Sequence, residues 1–484
     1  MELLVGLDVG TSSVKCLVFN AQGEVVTSAA EPLRLYTPRP KWVEQDPEQI
    51  WKSVVNACRA ATSTLPNEHK IMAISVSSQG GTTIPLDANG FPTHMAFSWM
   101  DERAGLEALD AKTTLGRDWV YLTTGWVLSN GLPLNHIAWF RKNNPSNFAK
   151  TKRFCFVNDF VISRLCGEYA MDPSNASITQ LYNLINGKWE SRLLDHAGIQ
   201  QTQLSPIRAS GQIVGRLTAH ASEQTGLAAG LPVVNGSHDQ YCAALGTGTT
   251  QPGKSLLSCG TAWVILAVPQ NLEKALQSKM SISRHAIQGL YGGIHSMGAV
   301  GASIEWLLDL FWPELDDRNS QYQAFNQAAI GAPPGSGGLI FHPLSSGHLG
   351  AEETIEPSLN GLSLHNTRGD IARALMEGVA LELRLVLEEM GDAVQVDRLK
   401  MIGGAARSPI WPQIVADITC RPLELVKISE SASLGAAILA GIGAGLFSDS
   451  WTALESLNLQ SQLVLPDPNL DDFYSHLIER YRHL

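Results

Sequence analysis

Two short stretches of this chain repeat one unusual design: an apolar strand, a tight turn of glycine and hydroxyl residues, then a second apolar strand. The first is Leu4-Val5-Gly6-Leu7-Asp8-Val9-Gly10-Thr11-Ser12-Ser13-Val14-Lys15-Cys16-Leu17-Val18-Phe19, and the second is Ser255-Leu256-Leu257-Ser258-Cys259-Gly260-Thr261-Ala262-Trp263-Val264-Ile265-Leu266. Gly10 lets the backbone approach a ligand closely, and the N–H groups and hydroxyls of Thr11, Ser12 and Ser13 can face phosphate oxygens. Asp8, ending the first strand, is placed to hold a metal ion directly or through water. One such turn on its own is equally an ordinary hairpin with a solvated aspartate. Two of them, about half a chain apart, predict two related lobes, each offering a phosphate-gripping turn to a shared cleft.

At 484 residues the chain exceeds one ordinary core, so two or three domains are expected. Hydrophobic residues make up 44% and charged residues 17%, a balance that suits a well-packed enzyme and leaves little room for disorder. The net charge of −11, with no basic run or basic-and-aromatic stripe, argues against nucleic acid or an anionic membrane as a main partner. The first apolar run is interrupted by Asp8 and Lys15, unlike a signal peptide, and no stretch of about 18 apolar residues occurs. Cys16, Cys58, Cys155, Cys166, Cys242, Cys259 and Cys420 are scattered, odd in number and free of C-x-x-C spacing. They read as reduced core thiols of a cytoplasmic protein and not as zinc ligands. The oligomeric state is open, a homodimer included.

Residues 1–30 alternate like a β-meander turning at Ala21-Gln22-Gly23. Asp46 as N-cap and Pro47 at the first helical position predict a helix over 47–63 with Ile50, Val54, Val55 and Cys58 on one face. Ile71 to Val76 is a continuous apolar strand leading into Ser77-Ser78-Gln79-Gly80-Gly81. Val233-Val234 feeds Asn235-Gly236-Ser237-His238-Asp239-Gln240, after which a small-residue helix is expected from about Tyr241. The run Thr249-Thr250-Gln251-Pro252-Gly253 reads as a lobe boundary. Beyond it, Thr367-Arg368-Gly369-Asp370 is a capping box opening a long helix. Leu399 to Ile402 is a strand into Gly403-Gly404-Ala405-Ala406-Arg407-Ser408-Pro409, where Ser408 is expected to cap a helix starting at Pro409. Gly435 to Ala444 predicts a small-residue helix that lies very close to its neighbours.

The paired turns resemble those of the actin-like, sugar-kinase and heat-shock ATPases, whose halves look like a duplicated ribonuclease-H-type unit. The fold class this implies is α/β, a two-lobed actin-like/ribonuclease-H-like ATPase fold with a cleft between lobes, here residues 1–247 and 248–484. No Gly-x-x-x-x-Gly-Lys-Ser/Thr P-loop occurs. More narrowly, the chain resembles the FGGY family of carbohydrate kinases, and within it the xylulokinase-type pentulose kinases, from Asp8 to about Leu446. The landmarks are Asp8-Val9-Gly10-Thr11, Trp42-Val43-Glu44-Gln45-Asp46-Pro47, Trp99-Met100-Asp101-Glu102-Arg103 and Gly236-Ser237-His238-Asp239-Gln240. They continue with Cys259-Gly260-Thr261, Gly403-Gly404-Ala405-Ala406-Arg407-Ser408 and Ala432-Ser433-Leu434-Gly435-Ala436-Ala437. Each is weak alone, but together and in order they are specific.

The resemblance implies ATP and Mg²⁺ as cofactors and gives each landmark a role. Asp239 corresponds to the carboxylate that accepts the proton of the attacking sugar hydroxyl, with an N-cap as its plain alternative. Asp8, Gly10, Thr11 and Ser12 correspond to the first phosphate site, with Mg²⁺ near Asp8 and Asp239. Gly260 and Thr261 correspond to the second. Gly403, Gly404 and Ala405, with Ser408 and Gln413 nearby, look like the turn that meets the nucleotide, or else a simple helix-start loop. Gly298 and Gly301 fit a helix beginning beside the β- and γ-phosphates.

For the sugar, the resemblance points to Gln79, Gly80, Gly81, Trp99, Asp101, Arg103, Asp239 and Gln240. Relatives of the xylulokinase type usually carry Met-His where this chain has Gly80-Gly81, a loss expected to enlarge the pocket and remove a donor. Gln79 is either a hydroxyl contact or a surface amide. Arg103 either borders the sugar or is a structural partner of Asp101. His238 either touches substrate or is a structural imidazole. A second departure is Gly347-His348, where the family commonly has Glu-Arg-Thr-Pro after the glycine. The function implied is an ATP-dependent kinase of a small ketose, a pentulose such as xylulose, acting without nucleic acid or membrane. The alternatives are a kinase of another polyol or sugar-like molecule (a tetritol or the autoinducer class) and a non-catalytic ATPase switch of the actin or heat-shock type.

Overall fold

The computed structural model describes residues 1–483, apart from 67–68, 261, 279, 299, 344–356 and 429. Thr261 and the Gly347-His348 departure therefore lie outside the described residues. The chain divides into two compact units, and the division is discontinuous. Unit 1 is Met1–Thr250, Ser281–Gly292 and Glu430–Asn458, and unit 2 is Gln251–Met280, Gly293–Ser429 and Leu459–Leu484. The first cut falls at the expected Thr249–Gly253 boundary. The single division into 1–247 and 248–484 does not describe the rest, because two later segments, one of them the small-residue helix, group with unit 1.

Unit 1 is built on the strands β1 (Glu2–Val9), β2 (Ser13–Asn20), β3 (Val25–Pro32), β4 (Lys70–Ser78), β5 (Ile213–Arg216) and β6 (Pro232–His238), in the order β5-β6-β4-β1-β2-β3. β1 and β2 form the antiparallel hairpin, with Asp8 opposite Lys15. β1, β4 and β6 run parallel, which sets Asp8 beside Ser77 and Ser77 beside Ser237. β1 is apolar on both sides because both sides are covered. Leu3, Val5, Leu7 and Val9 share a core with Ile50, Val54, Ala57 and Cys58 of helix α1 (Pro47–Thr62), which Asp46 caps as expected. On the opposite side lies the helix Ser431–Gly443. It approaches so closely that a Cβ on Gly6 would stand 1.9 Å from Ser433 O. The same helix meets α2 (Asp239–Gly246), where a Cβ on Gly435 would stand 1.9 Å from Cys242 O. The small residues of both helices are therefore a packing requirement.

Unit 2 repeats this topology. Its strands β7 (Ser255–Cys259), β8 (Trp263–Ala267), β9 (Tyr291–Met297), β10 (Leu399–Gly403), β11 (Leu423–Val426) and β12 (Ser461–Val464) follow the order β9-β8-β7-β10-β11-β12. β7 and β8 are the antiparallel hairpin, β7, β10 and β11 run parallel, and antiparallel strands lie outside them. Unit 1 has the same sequence of relations in β3-β2-β1-β4-β6-β5. The duplication read from two turns thus extends to six successive strands of each sheet. Helix α3 (Val300–Phe311) follows β9, and α4 (Arg368–Met390) begins at the Thr367/Asp370 capping box. Helix α5 starts at Trp411, two residues later than the sequence suggested, and runs Trp411–Thr419. The Ser408 hydroxyl accepts from the N–H groups of Ile410 and Trp411, so the cap lies ahead of a helix that begins beyond the proline.

Among the described residues no helix is long and apolar enough to cross a membrane. All seven cysteines are free and six are buried; Cys420 is exposed and does not belong to a core.

Candidate active site

The carboxyl ends of β1, β4 and β6 converge on one edge of the unit 1 sheet, the edge at which parallel α/β sheets present ligand sites. Asp8 ends β1, and its Oδ1 accepts from Ser77 Oγ of β4 at 2.8 Å. Asp239, directly after β6, is the first residue of α2, and its side chain is 28% exposed. Removal from water pushes the Asp8 carboxyl up to about 7, and the nearby Asp239 carboxylate adds to the rise against the pull of Ser77 and Lys15. Asp239 is pushed up to about 6, again by removal from water, while the donated N–H groups of Gln240 favour its ionised form. Two carboxyls that resist ionising side by side are the surroundings a divalent cation relieves. Lys15, next to Asp8 across the hairpin, pairs with Glu430 at 2.8 Å.

The Gly10 turn closes with Gly10 N–H donating to Ser13 O at 3.0 Å. Ser12 is exposed, and Gly10 and Thr11 are half-buried. Gln79 braces this turn from β4's end. Its Nε2 donates to Gly10 O at 3.1 Å and to Gln45 Oε1 at 3.0 Å, and its Oε1 accepts from Thr11 Oγ1 at 3.1 Å and Thr82 Oγ1 at 3.3 Å. An amide offers two donors and two acceptor sites, so all four are taken. Gln79 is neither a surface amide nor left with a group for a sugar hydroxyl; it holds the Gly10–Thr11 turn. Gln45 adds a bond from its Nε2 to Thr11 O at 2.9 Å.

Trp99 is 43% exposed, and its indole N–H donates to Thr11 Oγ1 at 3.0 Å, so it stands at the turn. Asp101 and Arg103 do not accompany it to the surface, because both side chains are fully buried. Arg103 holds Asp101 and Glu44, each at 2.7 Å, and its guanidinium lies 3.8 Å from the Trp42 ring centre. Asp101 also accepts from Val43 N at 2.6 Å. Of the two readings of Arg103, the geometry is that of a structural partner fastening the Trp42–Gln45 segment, which in turn holds Gln79.

Gly81 has a φ of +78°, which favours glycine, and a Cβ there would approach Leu132 at 3.1 Å. The space beside Gly80 is filled: a Cβ there would meet His238 Cδ2 at 2.4 Å. The expected enlargement of the pocket at Gly80 is thus corrected, since an imidazole from β6 occupies the volume. Ser77, Gln45 and the contact of His238 with Gly80 were missed by sequence reasoning. The local signals were the run of small polar residues ending β4 for Ser77, and the Trp42–Pro47 and Gly236–Gln240 landmarks that contain Gln45 and His238.

In unit 2, Gly260 follows β7, and Cys259 is in register with Gly403. Gly404 N–H donates to Cys259 O at 3.0 Å, so the second turn and the Gly403-Gly404 turn adjoin. Gly403 has a φ of +97°, and a Cβ there would lie 2.4 Å from Cys259 O, so only glycine fits. Ala405 is buried in a short 3₁₀ turn. Ser408 donates to Asn326 Oδ1 at 2.6 Å, and Gln413 donates to Leu465 O and Asp417. Gly298 directly follows Met297, which pairs with Trp263 at the start of β8, and Gly301 lies in the first turn of α3. Gly260, Gly298, Gly403 and Gly404 thus share one end of the unit 2 sheet.

Comparison with known proteins agrees with this arrangement. Residues 3–246 match the N-terminal domain of the FGGY family of carbohydrate kinases, and residues 256–444 match its C-terminal domain. The chain is similar to a xylulose kinase of Staphylococcus epidermidis, 27% identical over 484 residues, covering 99% of this chain and 96% of that protein. It is similar to a gluconokinase of Bacillus subtilis, 29% identical over 467 residues, covering 94% and 90%. Among solved structures, the xylulose kinase from Rhodospirillum rubrum superposes with a TM-score of 0.89 at 28% identity, covering 99% of this chain and 98% of that one. The chain belongs to the FGGY family of carbohydrate kinases.

Proposed function

We propose that this carbohydrate kinase transfers the γ-phosphate of ATP to a hydroxyl of a small ketose, a pentulose such as xylulose, with Asp239 as the general base. The observation that carries the reading is the placement of Asp8 at the end of β1 and Asp239 just beyond the end of β6, two carboxyls at the same edge of a parallel sheet, beside a turn braced by Gln79. In the step, the acceptor oxygen forms a bond to the γ-phosphorus, the bond to the bridging oxygen breaks, and ADP leaves. Asp239 takes the hydroxyl proton. The transition state is loose, so orienting the oxygen matters more than basicity.

Asp8 and Asp239 are oxygen donors that suit Mg²⁺, which takes one or two carboxylates and keeps several waters. Bound there, Mg²⁺ would offset the charge of the phosphate oxygens. Gly10, Thr11 and Ser12 would contact phosphate, as would Gly260 with Gly298 and Gly301. Gly403, Gly404 and Ala405 would meet the nucleotide. Gly80, Gly81, Trp99 and Gln240 would border the sugar. The seven free thiols suit a cytoplasmic metabolic enzyme.

The test is ADP release measured against a panel of ketoses, aldonates and polyols, with Asp239→Asn as the blank. A pentulose should give the highest kcat/KM, and Asp239→Asn should lose about 10²-fold or more of kcat while folding normally. Near-normal turnover by that variant would remove Asp239 as the base. Preference for an aldonate such as gluconate would reassign the substrate.

A further inference from the structure

His238 is held in place from behind by a buried network. Its backbone N–H donates to Ser174 Oγ at 2.9 Å, and that oxygen lies 2.6 Å from Ser237 Oγ. Ser174 donates onward to Asp172 at 2.5 Å, and Asp172 also accepts from Asn158 and Asn175. The imidazole itself is left unfinished. Its side chain is 9% exposed, its Nε2 stands 3.5 Å from Asp239 Oδ1, and among the described residues Nδ1 has no hydrogen-bond partner. The buried Nδ1 without a partner is costly to the fold, while Nε2 is the ring nitrogen that stands beside the Asp239 carboxylate. Gly80 makes the ring's position possible, since a Cβ there would lie 2.4 Å from Cδ2 and 2.7 Å from Nε2.

We propose that His238, seated over Gly80, is a specificity-determining residue: its Nε2 hydrogen-bonds the oxygen on the carbon next to the hydroxyl that Asp239 deprotonates. A carboxylate oxygen and a ring nitrogen side by side match the two oxygens of a vicinal diol or an α-hydroxyketone. The acceptor class is therefore one carrying an oxygen adjacent to the phosphorylated position. The inference rests on Asp239 as the base and adds to that reading the feature of the sugar that is recognised.

The test compares the best acceptor with its analogue deoxygenated at the neighbouring carbon. kcat and KM for both, and KM for ATP, are measured in the unaltered protein, His238→Ala, Gly80→Ala and Asp239→Asn. The unaltered protein should prefer the full acceptor by about 10²-fold or more, because a site built to bond an oxygen rejects the analogue lacking it. His238→Ala and Gly80→Ala should each cut that preference about tenfold or more, chiefly through KM for the full acceptor, with KM for ATP little moved. Gly80→Ala keeps the imidazole and only displaces it, so it carries the test even if His238→Ala folds poorly. A merely structural ring would lower turnover of both acceptors together, and an unchanged preference in both variants overturns the proposal. Asp239→Asn separates the two ideas: it should lower kcat for both acceptors alike by about 10²-fold or more, and if it does not, the base assignment fails and this inference with it.

Discussion

Asp239 lies under opposed influences. The N-terminus of α2 and the Gln240 N–H groups favour its ionised form, while removal from water raises its pKa to about 6. A general base works only when deprotonated, so kcat/KM for the sugar should fall on an acid limb near pH about 6, approaching tenfold per unit below it. A pH–rate profile at low Mg²⁺ checks this, and the limb should move to lower pH as Mg²⁺ rises, because the cation favours the ionised carboxylates. Gln79 is the opposite kind of residue, with every hydrogen-bonding group spent inside the protein. Gln79→Ala would free Gly10 O and Thr11 Oγ1 from their brace. It should raise KM for ATP by about tenfold, with a smaller effect on KM for the sugar, as initial-rate kinetics in both substrates would show. The residue type and position of Asp239 were legible because a motif is local. The role of Gln79 was not, because its partners Gly10, Thr11 and Gln45 come from separate segments.

At the scale of the element, glycine decides how closely the pieces approach. Gly6 on β1 admits the Ser431–Gly443 helix, with Ser433 O at 1.9 Å from where a Cβ would be. Gly6→Ala must push that helix away from the sheet that carries Asp8. It should cost about 1–3 kcal/mol, the usual range for overpacking, seen as a lower urea midpoint. The two strand–turn–strand units, the Asp46 cap of α1 and the Thr367/Asp370 box of α4 were readable, since each is set by residues within a few positions. The start of α5 was misplaced by two residues. The Ser408 hydroxyl is drawn to Asn326, and nothing near Ser408 in the chain reports where Asn326 lies.

At the scale of the molecule, buried titratable groups of unit 1 pull in opposite directions. Removal from water raises Asp8 and Asp159 to about 7 and Asp239 to about 6, and it raises Asp172 too. These contributions to stability are present below pH about 4 and are lost as pH rises through the folded values. Removal from water also lowers His136, His238 and His285 to about 4. Theirs are present above pH about 6.5 and are lost as pH falls. The two sets offset each other across that window, so ligand-free stability should vary little between pH 4 and 7. Asp159→Asn removes one contribution that declines with pH and keeps the cap on Phe156 N–H. Stability of that variant should therefore rise with pH more steeply than that of the unaltered protein, as thermal melts at pH 5 and 7 would reveal. The sequence by itself determined the duplicated turns, the strands that carry them and the carboxylates at the strand ends, because alternation, glycine turns and caps act over a few residues. Only the tertiary structure decided that Arg103 is sealed in an aromatic box, that the Ser431–Gly443 helix groups with unit 1 and that an imidazole fills the space over Gly80. Those outcomes depend on strands pairing in parallel from distant parts of the chain, where register sets which side chains meet.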